Sequence, residues 1–216
     1  MKLRGPVMAA LKEQTRAAHE AVEAFGIPRA LVNGQIRHDQ YIAMLRAYHA
    51  VHRAFASALA RYQAPWLSAR VDERVAWLER DLAAHAPAIE STSEFATALF
   101  AMSFEELVGA AYVLEGAALG NAFLLPRVRA ALNLEEDGCH FMRGHGAKVG
   151  AEFVAFGAHV EALVTFPSIS SAIVGAVAMF ELVGLALDEA EASCQELAAR
   201  SWRPSFRVDL ATGGWA

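Results

Sequence analysis

His19 stands in the run Leu11-Lys12-Glu13-Gln14-Thr15-Arg16-Ala17-Ala18-His19-Glu20-Ala21-Val22-Glu23, whose residues favour helix, with neither Gly nor Pro from Val7 to Phe25. On a helix, Thr15, His19 and Glu23 fall at i−4, i and i+4, stacked on one face. A histidine that gives one ring nitrogen to a metal usually donates its other N–H to a carboxylate or carbonyl, and Glu23 is one turn away. Lys12 and Arg16, seven and three residues earlier, share nearly the same stripe. An imidazole, an orienting carboxylate and two cations on one face suit a ligand that joins a metal to anionic groups, as haem with its two propionates does. Spacing alone leaves open the commoner alternative of a surface or core histidine.

A second segment, Tyr112-Val113-Leu114-Glu115-Gly116-Ala117-Ala118-Leu119-Gly120-Asn121, places two glycines four apart inside a helical pattern. Each costs about 1 kcal/mol relative to Ala in a helix interior. Together they clear one face, and Ala117 and Ala118 keep its surroundings small. Two readings follow: a close helix–helix crossing of the small-xxx-small kind, or a bare strip over which a flat ligand slides, with a kink opening room for a second small molecule.

The elements that must position these residues are helical throughout. Apolar residues recur at three- and four-residue spacing, and no alternating strand pattern of useful length appears. The pattern predicts helices over 7–25, ended by Gly26 and Pro28; from the N-cap candidate His38-Asp39 to about Tyr62; from Ser68 to about His85, before Pro87; and a short one opened by Ser91-Thr92-Ser93-Glu94. Ser103-Phe104-Glu105-Glu106 reads as a capping box opening a helix towards Leu125, with a second segment after Pro126 to about Leu132. The polar stretch 133–146 reads as loop or weak helix. Helices over 148–164 and from Ser168 to about Arg200 follow, with an irregular tail from Trp202. The expectation is one all-α domain over 1–216, a bundle of more than four helices.

Composition narrows the function classes. Hydrophobic residues make up 55% and mean hydropathy is +0.26, but the surplus is largely Ala, which suits close helix packing. The most membrane-like windows, 107–126 and 172–187, are interrupted by Glu115 and Glu181 and read as buried helices. With net charge −5 and no basic run, nucleic acid is not an expected partner. Cys139 and Cys194 form no CxxC pair, and no charged leader with an apolar core opens the chain, so a reducing, cytoplasmic setting is expected.

Taken together, the two segments resemble the biliverdin-producing haem oxygenase family, its bacterial branch most closely. LKEQTRAAHEAVE resembles that family's proximal helix, and YVLEGAALGNAF its distal helix, typically YVxEGSxLGxAF in bacteria. HVEALVTFP followed by AIVGAVAMFELVGLAL is similar to the family's last two helices, so the resemblance runs over nearly the whole chain in order. It implies a haem oxygenase-like all-α fold, with His19 as proximal iron ligand and Glu23 orienting it. It further implies Lys12 and Arg16 at the propionates, Gly116 and Gly120 against the ring face, Tyr112 at the tyrosine opening the distal motif, and Phe180 packing on the porphyrin.

The implied reaction is cleavage of haem by O2 to biliverdin, carbon monoxide and ferrous iron. Haem is both substrate and cofactor, and electrons come from a ferredoxin- or flavodoxin-type donor or a reductase. The product could supply a bilin-using photoreceptor, or the iron could be the object. Three departures stand out. Ala117 occupies the place of the usual Ser or Asp and offers no hydroxyl to a distal water. Asn121 replaces a small residue and brings an amide. The helix over 150–160 has no Lys or Arg for the propionates, and Lys148 and Arg143 do not align there.

A non-catalytic haem carrier or sensor of the same fold is the alternative that Ala117 keeps open. An enzyme acting on a thiamine- or quinone-like molecule would need a nucleophile, for which Cys139 and Cys194 are poor candidates. The HxxH of His49 and His52 lacks accompanying carboxylates at di-iron spacing and is a weak metal signal. His140, His145 and His159 are explained by loop polarity or an amphipathic face, and Trp66, Trp77 and Trp202 by packing. Glu115, in an apolar helix, is expected to face solvent or to pair with Arg16 or another cation.

Overall fold

The computed structural model describes residues 5–85, 94–134 and 137–201. Among them are ten α-helices and no strand: α1 Pro6–Gln14, α2 Arg16–Glu23, α3 Gly26–Val32, α4 His38–Leu59, α5 Pro65–His85, α6 Glu94–Phe100, α7 Phe104–Leu132, α8 His140–Arg143, α9 Val149–Leu163 and α10 Ile169–Ser201. The all-α bundle expected from periodicity is what forms. Pro87, the Ser91-Thr92-Ser93 signal and the tail from Trp202 lie outside the described residues.

The first predicted helix is interrupted at Thr15. Its hydroxyl, buried with the residue, donates to the Leu11 carbonyl at 2.7 Å, and its backbone leaves helical geometry at φ −97, ψ 1. Such i−4 back-bonding competes with the helix's own ladder and bends it. The bonds Thr15 N→Leu11 O and His19 N→Thr15 O still bridge the break, so Lys12 and His19 stay about two turns apart along a continuous helical ladder.

Two carboxylates from far along the chain hold this N-terminal arm. Glu161 of α9 accepts from the Val7 and Met8 amides at 3.3 and 2.8 Å, satisfying unpaired donors of the first turn of α1. Glu191 of α10 accepts from the Gly26 amide at 2.9 Å, at the start of α3. Gly26 and Pro28 therefore open a helix where the pattern predicted only an end; proline is tolerated in a first turn, where its missing N–H bonds nothing in any case.

α7 and α10 form the centre and pack most extensively on each other. A Cβ on Gly109 would collide with the Ala172 carbonyl, and one on Gly175 with the Glu106 carbonyl, so these two glycines set the close crossing. By length and composition alone both helices could cross a membrane; here they are the core of the bundle, running beyond the uncharged windows of the sequence.

α7 opens with the predicted capping box: Ser103 Oγ accepts from the Glu106 amide at 3.3 Å, and Glu106 accepts from the Ser103 amide at 2.6 Å. It continues through Pro126 as one helix rather than two segments, carried by burial beyond the proline at Val128, and ends at Asn133 in the left-handed region, φ 51. At the start of α4 the N-cap is Arg37, not His38-Asp39. Gln40 accepts from its amide at 3.1 Å, and Asp39, in the first turn, pairs with its guanidinium at 2.8 Å.

Candidate functional site

A cavity of about 640 Å³ opens between α2, α3, α4, α7 and α10, with Lys12 of α1 and Phe153 of α9 also on its wall. That volume suits a small-molecule or cofactor site. Lys12, Arg16, His19, Glu23, Tyr112, Gly116, Ala117, Gly120, Asn121 and Phe180 all line it. Residues separated by more than 160 positions in the chain thus share one pocket. Direct contact between α2 and α7 is at most marginal while both line the cavity, so they face each other across it.

On the α2 side, His19 Nδ1 lies 3.6 Å from Glu23 Oε1, and the two side chains are 56% and 60% exposed. The imidazole meets the Phe180 ring edge-on, centroids 5.6 Å apart at 77°. Phe180 is itself buried, so α10 backs the histidine with an apolar wall continued by Val183 and Leu187. Lys12 and Arg16 are exposed, and Glu20 also reaches the lining. The edge of the cavity therefore carries two cations and two carboxylates.

On the α7 side the backbone is bare. A Cβ on Gly116 or Gly120 would meet nothing within 4 Å, in contrast to Gly109 and Gly175. The helix-crossing reading thus belongs to Gly109 and Gly175, and the pair Gly116 and Gly120 faces open space. Ala117 adds only a methyl group. Asn121 is 7% exposed, and its Nδ2 has no hydrogen-bond partner. A buried donor left unpaired costs the fold roughly 1–3 kcal/mol. Burial raises the pKa of the half-buried Tyr112 phenol, opposed by the Thr15 hydroxyl beside it.

The pattern of the sequence did not single out Tyr48, Met44, Phe153 and Leu187 as lining residues. Tyr48 brings a phenol whose pKa burial pushes up to about 12, so it stays an O–H donor near neutrality. Nothing in its i, i+4 relation to Met44 distinguishes it from an ordinary core position.

Behind α7, Glu115 is buried rather than solvent-facing. It binds Arg74 at 2.8 Å and Arg70 at 3.1 Å, both from α5 and neither of them Arg16. Arg70 reaches on to Glu152 at 2.8 Å. Burial lowers the Arg74 pKa, and Glu115 opposes that shift most strongly.

The remaining histidines are engaged elsewhere. His52 Nδ1 bonds the Tyr48 carbonyl at 2.7 Å, while His49 Nε2 approaches Glu79 at 3.5 Å, so the HxxH pair diverges. Asp81 accepts from the His140 and Phe141 amides at 2.7 and 2.8 Å and lies 2.9 Å from His140 Nδ1, organising α8 within the stretch read as loop or weak helix. His145 approaches Glu73 at 3.5 Å and meets Trp77 edge-on. His159 stacks on Trp66 at 4.7 Å. Cys139 and Cys194 are both buried, and neither Arg143 nor Lys148 lines the cavity.

Comparison with known proteins gives a consistent picture. The chain matches the family described as Heme oxygenase over residues 6–184. Among solved structures it is similar to heme oxygenase-1 of the cyanobacterium Synechocystis in complex with heme, with TM-score 0.74, 16% identity, and coverage of 90% of this chain and 96% of that one. Heme oxygenase from Leptospira interrogans gives TM-score 0.73 and 19% identity over 85% and 98%. A domain of unknown function with a heme oxygenase-like fold from Shewanella denitrificans gives 0.71 and 11% over 94% and 100%. No curated protein sequence matches the chain.

Proposed function

Since this chain belongs to the haem oxygenase family, we propose that it binds haem in the cavity between α2 and α7 and cleaves it, with O2 and externally supplied electrons, to biliverdin, carbon monoxide and ferrous iron. The observation that carries this reading is one juxtaposition: His19 on α2 and the bare strip of Gly116 and Gly120 on α7 line the same cavity.

A flat macrocycle needs one wall without side chains, a ligand for its metal on the other, and cations for its carboxylates. Nδ1 of His19 is turned to Glu23, and no described residue bonds Nε2, which is therefore the nitrogen offered to iron. A neutral imidazole, unlike a thiolate, does not push electron density onto the iron to favour O–O cleavage. Lys12 and Arg16 are the groups for the propionates, and their grip would select the ring edge that is cut. Phe180 and the apolar α10 face pack on the ring and exclude water, while Tyr112 and Asn121 supply polar contacts. Electrons come from a ferredoxin- or flavodoxin-type protein or a reductase, and the setting is cytoplasmic.

A second reading, a haem carrier or sensor, is favoured by Ala117, whose methyl group gives the α7 wall no hydroxyl. One experiment separates the two. Hemin is titrated into the protein, and the complex is then reduced with ascorbate in air. Decay of a one-to-one Soret band into a biliverdin spectrum supports the oxygenase. A Soret band that persists supports the carrier, and absence of any complex overturns both.

A further inference from the structure

His38, the first residue of α4, and His85, the last of α5, meet at one corner of the bundle. His38 Nε2 lies 3.1 Å from His85 Nδ1, with the rings at 73° and their centroids 4.9 Å apart. The other nitrogen of His85 is held from behind. Nε2 donates to the Gly138 carbonyl at 2.9 Å, and the buried Tyr41 phenol donates to the same oxygen at 3.0 Å. Gly138 takes φ 83, and a Cβ there would collide with His85 Nε2, so the carbonyl reaches the ring in this way because the residue is glycine. A carbonyl only accepts, so in the neutral ring the proton sits on Nε2 and Nδ1 presents a bare lone pair to His38. Holding one ring nitrogen with a backbone carbonyl while freeing the other is how proteins prepare an imidazole for a metal.

We propose that His38 and His85 form a site for a divalent cation of the zinc type, the metal taking the place of the proton they share. Imidazole nitrogens bind zinc at about 2.0–2.1 Å, so two of them 3.1 Å apart subtend roughly 100° at the ion, close to the tetrahedral angle. His38 is exposed, so its proton passes from Nε2 to Nδ1 through solvent as the metal enters. His85 stands in the last turn of α5, where the carbonyl end of the helix favours a cation. Among the described residues no third His, Cys, Asp or Glu joins the pair, so water completes the coordination and the metal exchanges readily. The site is separate from the cavity, whose lining includes neither residue, and it stands whether or not haem binds.

For the test, zinc chloride is titrated calorimetrically into the haem-free full chain carrying His19→Ala, which removes the cavity imidazole. The same chain with His38→Gln or His85→Gln added is titrated in parallel, and thermal unfolding is followed with and without zinc. His38→Gln keeps an N–H for His85 Nδ1 but brings no metal-binding nitrogen, so it spares the tie between the helices and removes only the site. Zinc should bind the His19→Ala chain one-to-one and raise its Tm, because the ion joins two helices that separate on unfolding. Either added substitution should weaken zinc binding about tenfold or more and abolish the rise in Tm. Equal zinc affinity with and without His38→Gln overturns the proposal, as does absence of zinc binding to the His19→Ala chain. A zinc response lost in His85→Gln but kept in His38→Gln overturns it as well, leaving His38 outside any site.

Discussion

His19 Nδ1 and Glu23 Oε1 lie 3.6 Å apart on successive turns of α2, with the carboxylate on the side of the imidazole that leaves Nε2 for another partner. At that distance the pair is an ion-pair contact rather than a hydrogen bond, and the carboxylate would orient the ring if Nε2 held a metal. Because both side chains are more than half exposed, the effect sits at the weaker end of such pairs. We predict that Glu23→Gln weakens hemin affinity about tenfold with helix content unchanged. A fluorescence-quenching titration with hemin measures it, and an unchanged Kd would show that Glu23 does not orient the histidine.

The glycines of α7 divide into two groups with opposite expected responses. Gly116→Ala and Gly120→Ala add a methyl group to open space, so each should stabilise the haem-free protein by up to about 1 kcal/mol through helix propensity. The same methyl groups stand where a flat ligand would lie, so hemin affinity should fall in both. Gly109→Ala drives a Cβ into the Ala172 carbonyl and should destabilise the fold by about 1–3 kcal/mol. Urea unfolding of the three variants tests the division; destabilisation by all three would place the cavity glycines in a packed crossing after all.

Glu115→Gln should be costly without touching the cavity lining. The substitution leaves Arg74, 3% exposed, with no carboxylate of its own, and removing one partner of a buried ion pair costs about 3–5 kcal/mol. Replacing Arg70, which also holds the half-exposed Glu152, should cost less than replacing Arg74. Equilibrium denaturation of the single variants checks the order.

His52 gives the protein a pH dependence of defined sign. Burial lowers its pKa from 6.5 to about 3, so between those values the unfolded chain binds a proton that the folded chain refuses. Stability from this group is complete above pH 6.5 and declines as pH falls towards 3. His52→Leu should flatten the fall in unfolding free energy between pH 6.5 and 4, a difference of a few kcal/mol at the acid end. Parallel slopes for parent and variant would contradict a buried neutral imidazole.

What the sequence could reveal followed the range of the forces involved. Helical periodicity marked the long helices and both segments that meet at the cavity, because amphipathic faces are written locally. The opening of α3 was hidden, since Gly26 and Pro28 usually end helices and the carboxylate that caps this one, Glu191, is 165 residues away. The interruption at Thr15 depends on a buried hydroxyl turning onto Leu11, which requires the tertiary packing that buries it. Likewise Glu115 finds Arg74 and Arg70 from 41 and 45 residues off, where no spacing rule reaches. The two roles that glycine plays on α7 are indistinguishable in sequence, and only the position of α10 separates Gly109 from Gly116.

The most direct test of the site is the haem spectrum of His19→Ala with and without added imidazole. We predict that the parent protein gives a one-to-one hemin complex with a histidine-ligated Soret band. His19→Ala should fold, lose that signature, and regain it when free imidazole fills the space the side chain leaves. A His19→Ala complex with the parent's spectrum and no response to imidazole would mean that another residue holds the iron, and would contradict the assignment of the α2 wall as the proximal side.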